Sequence, residues 1–342
     1  MIPVFDGHND AITREGEPDL SRRLPDGHLD LPRMREGGMR GGIFAVFSPS
    51  AGKPSRQIKF PRGVHAEPLA PPLPQPQAAA HAEAAAARLL ALESQGELVV
   101  ARGIEAVDAA FDGSTPPVAV LHLEGAEAID PDLESLPAWH KRGLRSLGPV
   151  WSRANAFATG VQFAFPSSPD IGPGLTERGR ALVTACAELG ILVDLSHMNE
   201  AGFWDVAEMD LGRPLVASHS GAHPLCAASR NLTDRQLDAI GASGGLVGIV
   251  FATAFLRPDF ADDPDTPIAL IAEHARYVAD RIGVEHVALG SDFDGATIPA
   301  ELGGADGLPK LLGELRRVGF TEAELAAICW HNWRRVLAVW WR

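Results

Sequence analysis

The sequence predicts an α/β fold closed as a (β/α)8 TIM barrel, and three observations predict it. Eight short apolar runs rich in Val, Ile and Leu alternate with longer helical patterns, the signature of repeated β-α units and a parallel sheet. Residues able to bind a metal recur immediately after several of these runs, at C-terminal strand ends, where barrel enzymes gather their active sites. At 342 residues the chain is long enough for one large domain or two average ones, and no internal repeat or linker splits it, so residues 1–342 read as one domain. Pattern alone leaves an open doubly wound sheet as the alternative to closure.

In order, the runs are residues 3–7, 42–47, 118–123, 144–150, 191–196, 215–218, 245–250 and 286–290. Helix signals fall between and after them. Thr233 with Gln236, then Leu237 and Ile240 before Gly241, has the form of a capping box opening a helix, as does Thr321 with Glu324. The Ala-rich stretch 77–95 is a strong helix former expected outside the barrel. Residues 48–77 break the rhythm: Pro68, Pro71, Pro72, Pro74 and Pro76 exclude a helix there. Following the second strand, this segment lies at the C-terminal face and reads as a partial lid, with a plain surface excursion as the alternative. The tryptophan-rich end (Trp330, Trp333, Trp340, Trp341) fits a core-facing helix better than an interface.

A net charge of −14 argues against nucleic acid and anionic membranes as partners, because both require clustered Lys and Arg; a small molecule is the expected partner. The opening MIPVFDGHND has no basic and apolar leader pattern, and no apolar stretch approaches bilayer-spanning length, so the chain reads as cytoplasmic. Cys186, Cys226 and Cys329 are odd in number and widely spaced, and are expected to be reduced thiols in or near the core.

The strongest local signal is His8-Asn9-Asp10 at the end of the first run. Period-two alternation puts His8 and Asp10 on one side and turns Asn9 away. Glu124, His197, His219 and Asp292 follow later runs in the same way. Singly, each has an ordinary explanation: a surface His-Asp pair, a core hydrogen bond for His219, a salt bridge for Glu124. Together, three imidazoles and three carboxylates are too many for one tetrahedral zinc but suit two divalent ions sharing a carboxylate, with a hydroxide between them as nucleophile. His122, two residues before Glu124, should support the site from behind, and Asp194 and Asp294 lie near it. His28, His65, His81, His274 and His331 are given no role.

These residues carry a resemblance to the membrane (renal) dipeptidase family, the M19 metallopeptidases, which are amidohydrolase-like barrels. The stretch LEGAEAIDPDLESLPAWHKRGLR at 123–145 is similar to the family signature, with His140 where the signature has Tyr. DGHND, DLSH, SHS, SRNLTDRQLDAI and GSDFDG match in order and spacing, so the resemblance spans nearly the whole chain. It implies two zinc ions and a homodimer, with His8 and Asp10 on one metal, His197 and His219 on the other, and Glu124 bridging. It further implies Asp292 as the acid/base group and Arg230 as the clamp for the substrate carboxylate, a role suited to a guanidinium fork.

One departure stands out. Where the family carries a Leu-Thr-His run whose His polarises the scissile carbonyl, this chain has Trp151. An indole donates one hydrogen bond but carries no charge at neutral pH. Trp151 or the nearby Arg153 is therefore expected to contact substrate in its place, unless Trp151 is only packing at the rim. The function read from all this is a zinc-dependent dipeptidase, L-Xaa-D-Xaa dipeptides included. The alternatives are a hydrolase of another amide, lactam or ester with the same site, or a family member turned to a non-peptidase biosynthetic role.

Overall fold

In a computed structural model of the chain, which describes residues 2–50, 60 and 62–342, all eight expected strands are present. The first five, β1 (Val4–Asn9), β2 (Met39–Phe47), β3 (Val118–Glu124), β4 (Leu144–Gly148) and β5 (Leu192–Val193), lie in that order in one parallel sheet. The remaining three, β6 (Val216–Ser220), β7 (Leu246–Ile249) and β8 (Val287–Leu289), form a second parallel sheet, also in chain order. A two-residue strand, Val99–Val100, pairs beside the start of β3.

Backbone bonds at two seams join the sheets into a ring. Asp194 bridges Val216 in parallel, and the Leu195 N–H donates to the Val216 carbonyl at 2.8 Å. On the other side Asn9 bridges Phe293, with Asp10 N–H to Phe293 O at 2.8 Å and Asp292 N–H to His8 O at 2.9 Å. The barrel is therefore closed, and the open-sheet alternative falls. The second seam also fixes His8, Asp10 and Asp292 side by side through their own backbones.

The strands read as near-continuous apolar runs because both faces are covered, one by the barrel interior and one by helices. In β1 the residues alternate accordingly: Phe5 packs on Trp330 and Trp333, while His8 turns inward. Gly7 is on the outer face, and a Cβ there would come within 2.4 Å of the Trp333 ring, so only glycine lets that indole seat against the strand. Trp330, Trp333 and Trp340 are buried and Trp341 partly so, as the packing interpretation requires. The indole N–H groups of Trp333, Trp340 and Trp341 donate to the carbonyls of Leu289, Pro214 and Arg145. All three cysteines are buried and unpaired.

Both capping boxes form, at Thr233/Gln236 and Thr321/Glu324. The Ala-rich helix runs Gln75–Ser94, beginning two residues earlier than expected. Pro76 sits in its first turn, where no intrahelical N–H is needed, so the helix takes in the end of the Pro-rich segment. Of that segment, residues 51–59 and 61 lie outside the described residues, and the lid expectation falls partly on them. Its described part is tied down at the barrel mouth. His65–Ala66 pairs antiparallel with Ala164–Phe165, Glu67 N–H donates to Phe163 O at 2.9 Å, and Ala70 N–H to Ser152 O at 3.3 Å.

Candidate metal centre

Closure brings the six strand-end residues to one place. Glu124 Oε1 lies 3.6 Å from His8 Nε2, 3.0 Å from His197 Nε2 and 3.6 Å from His219 Nε2. His8 Nε2 is also 3.5 Å from Asp10 Oδ2, and the His197 and His219 Nε2 atoms are 3.2 Å apart. Asp292 joins His8 and Asp10 in one potential ligand group, and Glu124 joins His8 and His219 in another. Glu124 thus stands among all three imidazoles, with the His8 and His219 rings stacked at 3.7 Å. His197 and Asp292 hold positive φ values of 65° and 59°, unusual for side-chain-bearing residues and concentrated at functional sites.

The surroundings orient the imidazoles. Ser152 Oγ is 2.9 Å from His197 Nδ1, and Ser218 Oγ is 2.8 Å from His219 Nδ1, so both rings present Nε2 to the centre. Ser218 in turn is held by Asp194, which accepts backbone N–H groups from Ser218 at 2.8 Å and Ser196 at 3.0 Å. Asp194 is thereby occupied with pinning β5 to β6. His122 contacts Ser146 Oγ through Nδ1 at 2.8 Å, sits 5.6 Å, ring to ring, from His8, and forms a third potential ligand group with His8 and Asp194. Ser152, Ser218 and Asp6 were missed by sequence reasoning. Asp6 accepts the Ser291 N–H at 2.7 Å and hydroxyl at 2.9 Å, locking β1 to the β8 end; the same alternation that pairs His8 with Asp10 could have found it.

Electrostatics fit a cation. Burial drives His197 and His219 well below the usual imidazole pKa, leaving them neutral, which is the ligand form. Burial opposes the charge on His8 too, but Glu124, Asp10 and Asp292 outweigh it and raise His8 to about 10. Burial lifts Glu124 far up and, with Asp10 beside it, lifts Asp292 to about 7. Among the described residues, neither ring nitrogen of buried His8 has a hydrogen-bond partner. Crowded carboxylates, neutral imidazoles and an orphaned ligand atom form a donor set that a divalent cation satisfies.

Arg230 is buried beside the cluster. It donates to His219 O at 2.8 Å and Ser220 Oγ at 2.9 Å, leaving Nε without a partner, and burial lowers its pKa to about 10, so it stays cationic at neutral pH. Trp151 stands 5.9 Å, ring to ring, from His197 and lines the cavity above the cluster. Arg153 is placed behind it, 5.1 Å from the Trp151 ring, donating to Ser48 O at 2.9 Å and facing Glu127 at 4.0 Å. Neither Arg153 nor Arg230 lines the cavity, unlike Trp151; Arg230 lies beneath the lining, 5.9 Å from the Phe255 ring. The cavity, about 1320 Å³, has Asp10, Glu124, His197 and Asp292 at its floor and the described part of the Pro-rich segment, from Glu67 to Pro71, along one side. Of the histidines given no role, His28 lines this cavity, whereas His274 is buried in the outer layer.

A closed parallel barrel whose strand ends assemble carboxylates and neutral imidazoles beneath an open cavity defines a metal-dependent hydrolase. The chain belongs to the membrane dipeptidase family (peptidase family M19), whose model matches residues 1–339, and it is a metallo-dipeptidase. The structure superposes with a TM-score of 0.93 on a metallopeptidase from Rhodobacter sphaeroides liganded with a phosphinate mimic of L-Ala-D-Ala, at 44% identity and covering 99% of both chains. An uncharacterized protein in the pqqA 5' region of Klebsiella pneumoniae is 49% identical over 223 residues, 65% of this chain and 82% of that protein. The dipeptidase AtaJ of Aspergillus terreus is 28% identical over 98% of this chain and 84% of its own. No helix among the described residues is long and apolar enough to cross a membrane.

Proposed function

We propose that residues 1–342 act as one catalytic domain that hydrolyses the single amide bond of dipeptides, L-Xaa-D-Xaa dipeptides included, with two zinc ions. His8 and Asp10 would hold one ion, His197 and His219 the other, and Glu124 both. The observation that carries this reading is the position of Glu124 Oε1, within 3.6 Å of three imidazole Nε2 atoms at the cavity floor. When bound, the ions supply an activated water and polarise the scissile carbonyl. The phosphinate-liganded relative from Rhodobacter sphaeroides supports the choice of substrate.

The chain's own groups do the rest. Asp292, with a carboxyl raised to about 7 by burial and by Asp10, is suited to accept a proton and return it to the leaving amine. Its backbone N–H, bonded to His8 O at 2.9 Å, holds it beside the ligands. Arg230, fixed by His219 and Ser220, clamps the substrate carboxylate through its remaining donors. Trp151 brings an indole N–H to the cavity and donates to the substrate where the family carries His. Arg153, seated behind that ring, reaches substrate only through it. The resemblance supports a homodimer, and three unpaired buried cysteines are what a cytoplasmic protein carries.

The test is hydrolysis of L-L and L-D dipeptides by protein with its metal quantified, alongside Asp292→Asn. Activity should track two metals per chain and be lost in the variant while metal stays bound. A two-metal protein that turns over no dipeptide would overturn the proposal. Trp151 favours a second reading, hydrolysis of another amide, lactam or ester by the same site, and an extended panel separates the two.

A further inference from the structure

The two walls of the cavity differ in chemistry. Above the floor, one carries Asp294, Asp26 and Arg14, the last already paired with Asp26 at 2.9 Å. The other is aromatic: Phe47, Phe60, Trp151, Phe163 and Phe255. These rings form a continuous surface. Phe255 and Phe163 stack at 5.9 Å and 20°, Phe163 meets Trp151 at 5.8 Å, and Trp151 meets Phe47 at 4.9 Å. Phe60 closes on Phe163 at 5.1 Å, and the Arg153 guanidinium 5.1 Å from the Trp151 ring backs the wall from behind. The polar residues bordering it are engaged elsewhere, Glu67 with His65 at 3.6 Å and Asp262 with Thr253 at 3.3 Å.

The wall's two ends locate what it touches. At one end the Arg230 guanidinium lies 5.9 Å from the Phe255 ring. At the other, Trp151 and Phe163 lie 5.9 and 6.1 Å from His197. A dipeptide with its carboxylate at Arg230 and its scissile carbonyl at the ligand cluster spans that interval with its C-terminal residue. Ala252 and Ala254, small residues on the same lining, leave room for a side chain there.

We infer that the aromatic wall is the recognition site for the side chain of the substrate's C-terminal residue, and that it selects large apolar or aromatic side chains over small or charged ones. This rests on the dipeptidase reading and on Arg230 as the carboxylate clamp. Burying a Leu- or Phe-sized side chain against such a surface corresponds to roughly 30-fold in affinity.

The experiment is calorimetric binding of phosphinate dipeptide mimics to the metal-loaded protein, with Ala fixed at the N-terminal position and Gly, Ala, Leu, Phe, Asp or Lys at the C-terminal one. Affinity should rise about 30-fold from Gly to Phe, with Asp and Lys below Leu. Phe163→Ala should shrink the Phe-to-Gly ratio to about threefold. The wild-type series decides the matter without any variant: a flat series, or one led by Asp or Lys, overturns the inference. Turnover of the matching dipeptides is measured in parallel. Turnover with a flat series sinks this inference alone, whereas a steep series with no turnover of any dipeptide sinks the dipeptidase reading.

Discussion

On the outer face of β1, Phe5 meets Trp330 edge-on at 5.7 Å and Trp333 at 5.9 Å, and Gly7 makes room for the second indole. On the inner face, Asp6, His8 and, just past the strand, Asp10 are all buried, and His8 and Asp10 stand among the carboxylates of the cluster. The outer face gains apolar burial and satisfies each polar atom it hides; the Trp333 N–H, for example, donates to Leu289 O at 3.0 Å. The inner face leaves both His8 nitrogens without hydrogen-bond partners among the described residues. The contrast teaches that one strand can divide its labour by alternation: the odd positions pack the barrel against its helices, whereas His8 and Asp10 on the other side join a crowded set of ionisable groups that a cation satisfies.

The largest effect that could break this comparison is on the inner face. Glu124→Gln should cut kcat/KM by roughly 10³-fold or more, because it removes the one carboxylate common to both halves of the cluster. Metal content per chain, measured by elemental analysis, should fall in parallel. The metal-free variant should unfold at the same temperature as the metal-free wild type or higher, since a carboxyl whose charged form burial already disfavours is replaced by a neutral amide of the same shape. A drop in metal-free stability would show that the inner charges hold the fold together after all.

Trp333→Ala tests the outer face. It should cost about 3–5 kcal/mol in urea unfolding by opening a cavity under β1, while the folded fraction keeps its metal and its kcat. Loss of metal from the folded variant would mean that the two faces are not separable.

The same division explains what was legible beforehand. All eight strands were readable because each is an apolar run buried on both sides, and four runs are followed directly by a ligand-type residue, His8, Glu124, His197 and His219, with Asp292 two residues past a fifth. Closure was readable from the count of eight runs and the family resemblance, but the apolar pattern alone did not force it. It depends on backbone bonds such as Leu195 N–H to Val216 O and Asp10 N–H to Phe293 O, which any side chain permits. For the same reason the sequence could place Trp151 and Arg153 in one neighbourhood but not decide which of them faces the cavity; a buried guanidinium held by Ser48 O and Glu127 depends on two distant loops. The supporting serines were hidden because Ser is common beside strands, and only the 2.8–2.9 Å contacts to the histidines distinguish Ser152 and Ser218.

A pH experiment sharpens the contrast from the outer layer. His274 is buried on the helix Ala269–Ile282, where Nδ1 accepts the Ala222 N–H at 3.0 Å and Nε2 is 3.1 Å from Leu256 O, so the neutral ring is fully used. Burial lowers its pKa to about 4, outweighing the Leu256 contact. Between that value and the ordinary value near 6.5, the unfolded chain binds the proton and the folded chain does not. Stability from this group is therefore complete above about pH 6.5 and is lost as pH falls towards 4, by about 3 kcal/mol in all. Urea unfolding between pH 7 and 4 should show a slope shallower by one proton in His274→Gln. An unchanged slope would mean that the ring is not held neutral.

The smallest effect concerns Trp151, which belongs to both descriptions at once: its ring packs with Phe47 and Phe163 like an outer-layer residue, yet it lines the cavity beside His197. Trp151→Phe keeps most of the ring and removes the N–H, so it separates packing from chemistry. If the indole donates to the reacting group, kcat for a dipeptide with a C-terminal Gly, which makes no side-chain contact with the aromatic wall, should fall about tenfold, with thermal stability nearly unchanged. Trp151→His should recover part of that loss, because imidazole returns a donor at a similar place, while a Phe-ending dipeptide binds less well for want of ring surface. A Phe variant with full kcat would assign Trp151 to the wall alone and leave Arg230 and the ligand cluster to orient the substrate without it.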